Sequence, residues 1–413
     1  MIAFHYPPCA LGSGMNRSLK FSRYLPDSGW QPVVLTAHPR AYGRTRPEQL
    51  RDIPPTVTVV RVFALETRRH LAWRGLYPRW IALPDDWWTW WLAAVPSGLR
   101  LARAHRASVI WSTYPIATAH LVGLALHRLT GLPWVADFRD SMTEEGYPRD
   151  AVQRRAYRWI ERETIARAAR IVFTTEATRR MYVARYPALD PERCVVIPNG
   201  YDETDFEGLV PAGTSPAGRP LRLLHAGVIY PEERDPRPFF RALARLKRER
   251  RISARDLRVD LRAPGFEREY GALLIELGID DIVRLLPPLA YRAALQEYLS
   301  ADALLLLQGA SCNHQIPAKA YEYLRAQKPI LALTSPDGDT AALLREHGGF
   351  TLVELDDEEA IYGAVPAFLD AVRTGVHPLP DAKRVEVYSR QSQALVLSRL
   401  LSEACSLARP VTC

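Results

Sequence analysis

A chain of 413 residues is long for one hydrophobic core and implies two domains, each large enough to bury its own. Hydrophobic residues make up 47% and charged residues 24%, the balance of an ordinary globular chain, which excludes a disordered or fibrous one. The formal charge of +8 is uneven: up to Val210 there are 28 Lys and Arg against 20 Asp and Glu, and beyond it 26 against 26. The excess points the first half at an anionic surface or substrate. An anionic membrane face fits better than nucleic acid, for which no recognition motif is present.

Cys9, Cys194, Cys312, Cys405 and Cys413 are scattered, odd in number and without metal-ligand spacing, so reduced thiols in a cytoplasmic protein are expected. The chain opens on the strand-like MIAFHY without a charged-then-apolar leader, and no later run has the length of a transmembrane helix. Any membrane contact is therefore expected to be peripheral, on the inner face of the cytoplasmic membrane.

In chain order, strand IAFHY is followed by PPCALGSGMNRSLKFSRYL, where Gly12 and Gly14 lead into a helix patterned through Leu19, Phe21 and Leu25. A glycine-rich turn between strand and helix lets backbone approach a phosphate closely, although GSG also occurs in plain turns. PVVLTA and VTVVRV are the next strands. From Trp73 to Ala94 the composition shifts to WRGLYPRWIALPDDWWTWWLAA. Tryptophan and tyrosine beside arginine suit a membrane interface or an acceptor-lining loop. A packed core helix is the alternative, favoured by Asp85 and Asp86, which anionic lipid would repel.

ASVIWSTYP is a strand, HLVGLALHRLTG a helix ending at Gly131, and PWVADFRDS the next strand with its loop. Asp137, Arg139 and Asp140 cluster there, at a strand's carboxyl end, where open α/β sheets bind ligands; an Arg–carboxylate network holding the loop is the other reading. His120 suits capping or packing. Gln153 to Ala169 is a charged helix with a solvated face, followed by strand RIVFTT, a helix near Glu176 and strand CVVIPNG, with Asn199–Gly200 as a structural turn. EGLVPAGTSPAGRP, within residues 207–220, has the Gly, Pro and small polar content of a linker.

The second half opens with LRLLHAGVIY, in which Gly227 ends the strand, and Arg234 precedes a helix beginning near Pro236. LRVDLRAPG, IVRLLPPL and ADALLLLQG are further strands separated by helices, an alternation that implies a parallel sheet. After the buried strand Ala303–Leu307 the chain turns. Pro317 suits a first helical turn, and Lys319 to Arg325 continues the helix until Pro329. Free N–H groups around Gln315 and Ile316, with the charge of Lys319 one turn in, make an anion site, and Glu322 on the same face offers a carboxylate to a sugar diol. An exposed Lys319–Glu322 ion pair is the plainer reading. A helix over roughly Val385 to Ala404 closes the chain, with Tyr388 as core.

IPAKAYEYLRAQKPILAL, with RIVFTTEATRRM and VVIPNGYD, resembles the family 4 glycosyltransferases, retaining enzymes of the GT-B fold, and the ADFRD loop is similar to a bacterial subgroup of surface-glycan type. The resemblance covers nearly the whole chain. It implies two Rossmann-like α/β domains facing across a cleft: an acceptor domain over 1–206, the linker, a nucleotide-sugar domain over 221–384, and 385–413 crossing back to the first domain. It implies a nucleoside-diphosphate sugar as donor, a lipid-linked or glycan acceptor, and no cofactor or metal. Arg234 and Lys319 would face the diphosphate, with Arg234 acting where relatives carry a lysine and Val228 standing where they carry an arginine. Glu322 matches the second glutamate of the family's E-x7-E motif and would meet the ribose. His314 stands in the place of the first. Gly12, Gly14, Arg17, Gly227, Gln315 and Ile316 would line the donor, Leu286 with Pro287 would lie by the base, and Asp137, Arg139 and Asp140 would belong to the catalytic loop, with Asp137 or Asp140 orienting the acceptor hydroxyl. A sugar-nucleotide epimerase or phosphorylase of the same fold, or a binding protein without turnover, remains open at this stage.

Overall fold

The computed structural model describes residues 1–10, 12–74, 76–211 and 218–407. Cys413 and the linker residues 212–217 lie outside the described residues. By contacts the chain forms two compact units: Met1–Pro198 with Arg390–Cys413, and Asn199–Ser389.

The first unit holds β1 (Ile2–Ala3), β2 (Val33–Ala37), β3 (Thr58–Val62), β4 (Ile110–Thr113), β5 (Trp134–Arg139), β6 (Arg170–Phe173) and β7 (Cys194–Val196). They pair in parallel in the order β3-β2-β1-β4-β5-β6-β7. Its helices are α1 (Gly12–Tyr24), α2 (Thr89–Ala104), α3 (Ala117–Thr130), α4 (Ala151–Arg167) and α5 (Glu176–Arg185). The expected charged helix thus starts two residues earlier than its composition implied. Asp150 supplies the reason, its carboxylate accepting the Val152 and Gln153 N–H groups as an N-cap. Gly131, at φ 71°, ends α3, a conformation that costs glycine least.

The second unit holds β8 (Leu221–Ala226), β9 (Leu257–Arg262), β10 (Val283–Leu286), β11 (Ala303–Gln308), β12 (Ile330–Thr334) and β13 (Phe350–Val353). All pair in parallel, in the order β10-β9-β8-β11-β12-β13. Short α6 (Glu203–Phe206) opens the unit. Then come α7 (Arg237–Arg248), α8 (Glu267–Glu276), α9 (Tyr291–Ser300), α10 (Ala318–Ala326), α11 (Asp339–His347), α12 (Glu358–Arg373) and short α13 (Ala382–Val385). Every residue of β11 and β12 is buried, as parallel strands covered on both faces must be. Their leucine and isoleucine side chains contribute about 1.5–3 kcal/mol each on burial. Finally α14 (Arg390–Leu407) returns to the first unit and packs on α1. It begins later than the expected Val385, because α13 and a 3-10 turn at Glu386–Tyr388 intervene.

Both sheets reverse their strand order once, between β1 and β4 and between β8 and β11. The loops leaving the carboxyl ends of those two strand pairs are where such sheets accept ligands.

Candidate functional site

At the reversal in the second sheet, β8 delivers His225, Ala226 and then Gly227, whose φ of 106° few other residues tolerate. A methyl group on Gly227 would stand 3.0 Å from Nζ of Lys319, so bare backbone and ammonium meet here. Lys319 is the second residue of α10. Pro317 is not in the first turn as expected but at the extended N-cap position, and the helix starts at Ala318. Gln315 and Ile316 accordingly belong to the preceding loop, half-buried, with Ile316 packed on the core and the Gln315 carbonyl accepting from Thr340 Oγ1. The amide end of the helix is offered by Ala318 and Lys319 instead.

Lys319 Nζ lies 3.1 Å from His225 Nε2, while His225 Nδ1 lies 2.9 Å from the Leu305 carbonyl. A carbonyl only accepts, so Nδ1 carries the proton and Nε2 accepts from the ammonium. Burial, with the Lys319 charge second, pushes the fully buried His225 well below the usual histidine range and keeps it neutral. Part of the Lys319 side chain reaches solvent, but its ammonium is enclosed. Desolvation first and the Arg234 charge second lower it to about 7, against an upward pull from Glu322.

Arg234, half-buried, donates from Nε to Gln308 Oε1 at 3.3 Å and from Nη1 to the Val228 carbonyl at 3.3 Å, with its guanidinium over the Tyr230 ring. Gln308, the last residue of β11, is fixed in turn by donation to the Cys312 carbonyl. Glu322 is buried, not exposed as the plainer reading had it, and Tyr291 Oη donates to its Oε1 at 2.7 Å. His225, Gln308 and Tyr291 are the residues that sequence reasoning missed. Only His225 left a signal, as a histidine two residues before the glycine in the run LLHAG. His314 is half-buried with Nε2 3.4 Å from Gln315 Nε2. Leu286 ends the edge strand β10, its carbonyl taken by the Ala263 N–H.

At the reversal in the first sheet the expected trio separates. Asp137 is fully buried and accepts from Arg17 Nε at 2.9 Å and Nη2 at 3.1 Å, and Arg17 also donates to the carbonyls of Ile197 and Pro198. This corrects two assignments: Arg17 and Asp137 are consumed by each other and hold β5 to the chain after β7. Arg139, which follows a bulge and has φ 60°, is buried with Nη1 donating to the Tyr114 carbonyl. A methyl on Gly14 would come within 2.4 Å of that Nη1, so the first turn of α1 lies directly on the guanidinium. Arg139 Nε and His5 Nε2 are buried without a hydrogen-bond partner among the described residues. Burial, helped by Arg139, lowers His5 to about 4. Burial lowers Arg139, and Asp140, half-buried, is the first of the carboxylates that oppose this. Gly12 opens α1.

The tryptophan-rich stretch divides. Trp90 is fully buried, Trp87 packs on Phe4 and donates to the Ala41 carbonyl, and Asp85 is buried, accepting from the Thr118 N–H and hydroxyl at the start of α3. Burial raises Asp85 to about 6. The most exposed apolar side chains of the stretch are instead Trp73, Leu76 and Trp80, at 73 to 77% exposure, with Arg74 over the Trp73 ring, while Trp91 and Leu92 are exposed to a lesser degree. Among the described residues, no helix is long and apolar enough to cross a membrane. A cavity of about 500 Å³ lies elsewhere in the first unit, lined by Met1, Val33, His105, Ile110 and Trp111. It opens at the amino ends of the strands, the wrong edge for the chemistry of a parallel sheet. Cys9, Cys194, Cys312 and Cys405 form no disulfide among the described residues.

Residues 13–200 match the family described as glycosyl transferase 4-like domain. The D-inositol 3-phosphate glycosyltransferase of Kineococcus radiotolerans is 29% identical over 194 residues, 44% of this chain and 43% of that protein. Its namesake in Corynebacterium kroppenstedtii is 27% identical over 257 residues, 58% and 52% of the two chains. The chain thus spans about half the length of the curated relatives it matches. Among solved structures, sucrose-phosphate synthase from Thermosynechococcus elongatus has a TM-score of 0.65 at 15% identity, covering 98% of each chain. Anabaena HepE, in complex with UDP and glucose, has a TM-score of 0.66 at 15% identity, covering 97% of this chain and 99% of that one. At such identities the likeness shows the fold alone, and that fold is GT-B.

Proposed function

We propose that the chain is a family 4 glycosyltransferase of GT-B fold, which the match over residues 13–200 supports, and that it moves a sugar from a nucleoside-diphosphate carrier to a hydroxyl of a lipid-linked or glycan acceptor. The observation that carries this reading is the meeting of Arg234, Lys319 and the bare Gly227 backbone at the reversal of the second sheet, with Glu322 one turn further along α10. As the bond from the anomeric carbon to the diphosphate breaks, negative charge grows on the leaving phosphate. Two cations and the first amides of α10, already in place, stabilise that charge more than they stabilise the ground state. Glu322, held by Tyr291, accepts hydrogen bonds from the ribose diol. The acceptor oxygen forms the new bond on the face the leaving group vacates, giving retention, and the departing phosphate oxygen takes the acceptor proton. Arg139 and Asp140 orient the acceptor. The setting we propose is cell-surface polysaccharide or glycoconjugate synthesis in the cytoplasm, with Trp73, Leu76 and Trp80 touching an anionic membrane face.

The test is a thermal-shift screen of UDP, GDP and ADP sugars, followed by transfer to lipid-linked and glycan acceptors with the anomeric configuration read by NMR. A ligand held by the folded state raises the melting temperature by mass action. No shift with any donor, or nucleotide release without a new glycosidic bond, overturns the proposal. Release of free sugar or an epimer from the donor alone assigns the fold to another reaction.

A further inference from the structure

Sequence resemblance assigns no task to His225, yet it is the group that Lys319 rests on. The imidazole is fully buried in β8, the central partner of β11 and β9. Its proton is fixed on Nδ1 by the Leu305 carbonyl of the neighbouring strand, 2.9 Å away. Its Nε2 therefore faces outward from the sheet as an acceptor, 3.1 Å from Lys319 Nζ. The ammonium is also hemmed in by Gly227 backbone on the strand side, while Arg234 from the following loop repels it and Glu322 on its own helix attracts it. An ammonium on four rotatable bonds has no direction of its own, and the repulsion from Arg234 would swing it away from a shared anion.

We propose that His225 is a positioning residue for the transfer reaction: its neutral Nε2 holds the Lys319 ammonium beside Gly227, aimed with Arg234 at the donor diphosphate. The inference rests on the reading of this site as the donor-diphosphate site. A protonated imidazole would repel Lys319, so the arrangement works only with the histidine uncharged, and desolvation in the sheet keeps it so. The Leu305 bond makes the tautomer a property of the strand pairing rather than of the ligand.

Two substitutions separate positioning from packing. His225→Asn keeps a donor for the Leu305 carbonyl but cannot reach Lys319; His225→Gln reaches Lys319 with its Oε1. The readout is the dissociation constant of UDP, GDP or ADP by calorimetry, taking whichever binds the parent protein most tightly, together with melting temperature. Asn is expected to weaken binding about tenfold or more, in line with the loss of a charge-assisted hydrogen bond, and Gln to restore most of it. In a Lys319→Met background the same His225→Asn change is expected to do almost nothing, since the histidine acts through the lysine. If Asn binds as the parent does, or if its loss is undiminished without Lys319, His225 is a structural residue and the inference is wrong. If the parent protein itself binds none of the three nucleotides, the donor-site reading falls and takes this inference with it. Binding by the parent with indifference to His225 leaves that reading standing.

Discussion

Donor binding should become weaker as the pH rises above 7, because the unliganded protein gives up the Lys319 proton that a diphosphate needs. Burial and Arg234 lower Lys319 to about 7 in the free protein, with Glu322 opposing them. A bound diphosphate supplies the missing counter-charge and returns the lysine toward its ordinary value near 10.5. Between those values the free form is neutral and the bound form charged, so binding takes up a proton and affinity falls about tenfold per pH unit. From pH 7, where half of the free lysine is already neutral, to pH 9 the loss is about fiftyfold, or about 2.3 kcal/mol at about 1.36 kcal/mol per tenfold. Below pH 7 the lysine is charged in both forms and its contribution is flat. The assay is calorimetric titration with a nucleoside diphosphate from pH 6 to 9, in buffers of differing ionisation enthalpy, which counts the protons directly. Lys319→Met is expected to bind more weakly and to lose the slope above pH 7. Constant affinity from pH 7 to 9 with no proton uptake would refute the reasoning. The free protein should move the other way: its unfolded chain keeps this proton up to about 10.5, so Lys319 adds stability as the pH rises from 7.

Replacing Arg234 or Lys319 by Ala should lower kcat by about a hundredfold or more, the scale of removing one preorganised charge stabiliser; steady-state kinetics showing parent-like turnover would reject the assignments. Gly227→Ala forces a methyl to 3.0 Å from Lys319 Nζ at a φ of 106°, so nucleotide affinity should fall by about tenfold while the chain still folds, as checked by calorimetry and melting. Asp137→Ala strands the fully buried Arg17 without its counter-charge and should cost about 3–5 kcal/mol in chemical denaturation, whereas a purely catalytic role predicts normal stability. In flotation with anionic vesicles, polar replacements at Trp73, Leu76 and Trp80 should reduce binding while the buried Trp90 is left intact; undiminished flotation discards the membrane role of that patch.

The alternation of apolar strands with amphipathic helices fixes a parallel α/β chain in two units, because buried strands must be apolar on both faces and a crossover must be long enough to hold a helix. Lys319 and Glu322 are legible as a pair for the same local reason: residues three apart on one helix share a face whatever surrounds it. Arg17 and Asp137 show the opposite case. Asp137 lies toward the carboxyl end of β5 and Arg17 in the helix after β1, yet 120 positions of sequence separate them and only the fold reveals that they neutralise each other. The tryptophans fail for another reason, since composition marks an amphipathic stretch but not which rings turn inward. Trp90 is in the core, and Trp73 and Trp80 are in solvent.

The sequence by itself determined the secondary elements, their parallel class, the glycine after β8 and the cation near the start of α10, all set by interactions within a few residues. The tertiary structure decided which distant side chains share a charge. Pairing β8 with β11 places His225 under Lys319 and Gln308 beside Arg234. The burial that pairing creates makes the histidine neutral and the lysine easy to deprotonate. Desolvation depends on everything that surrounds a group in space, and no local stretch of chain carries that information.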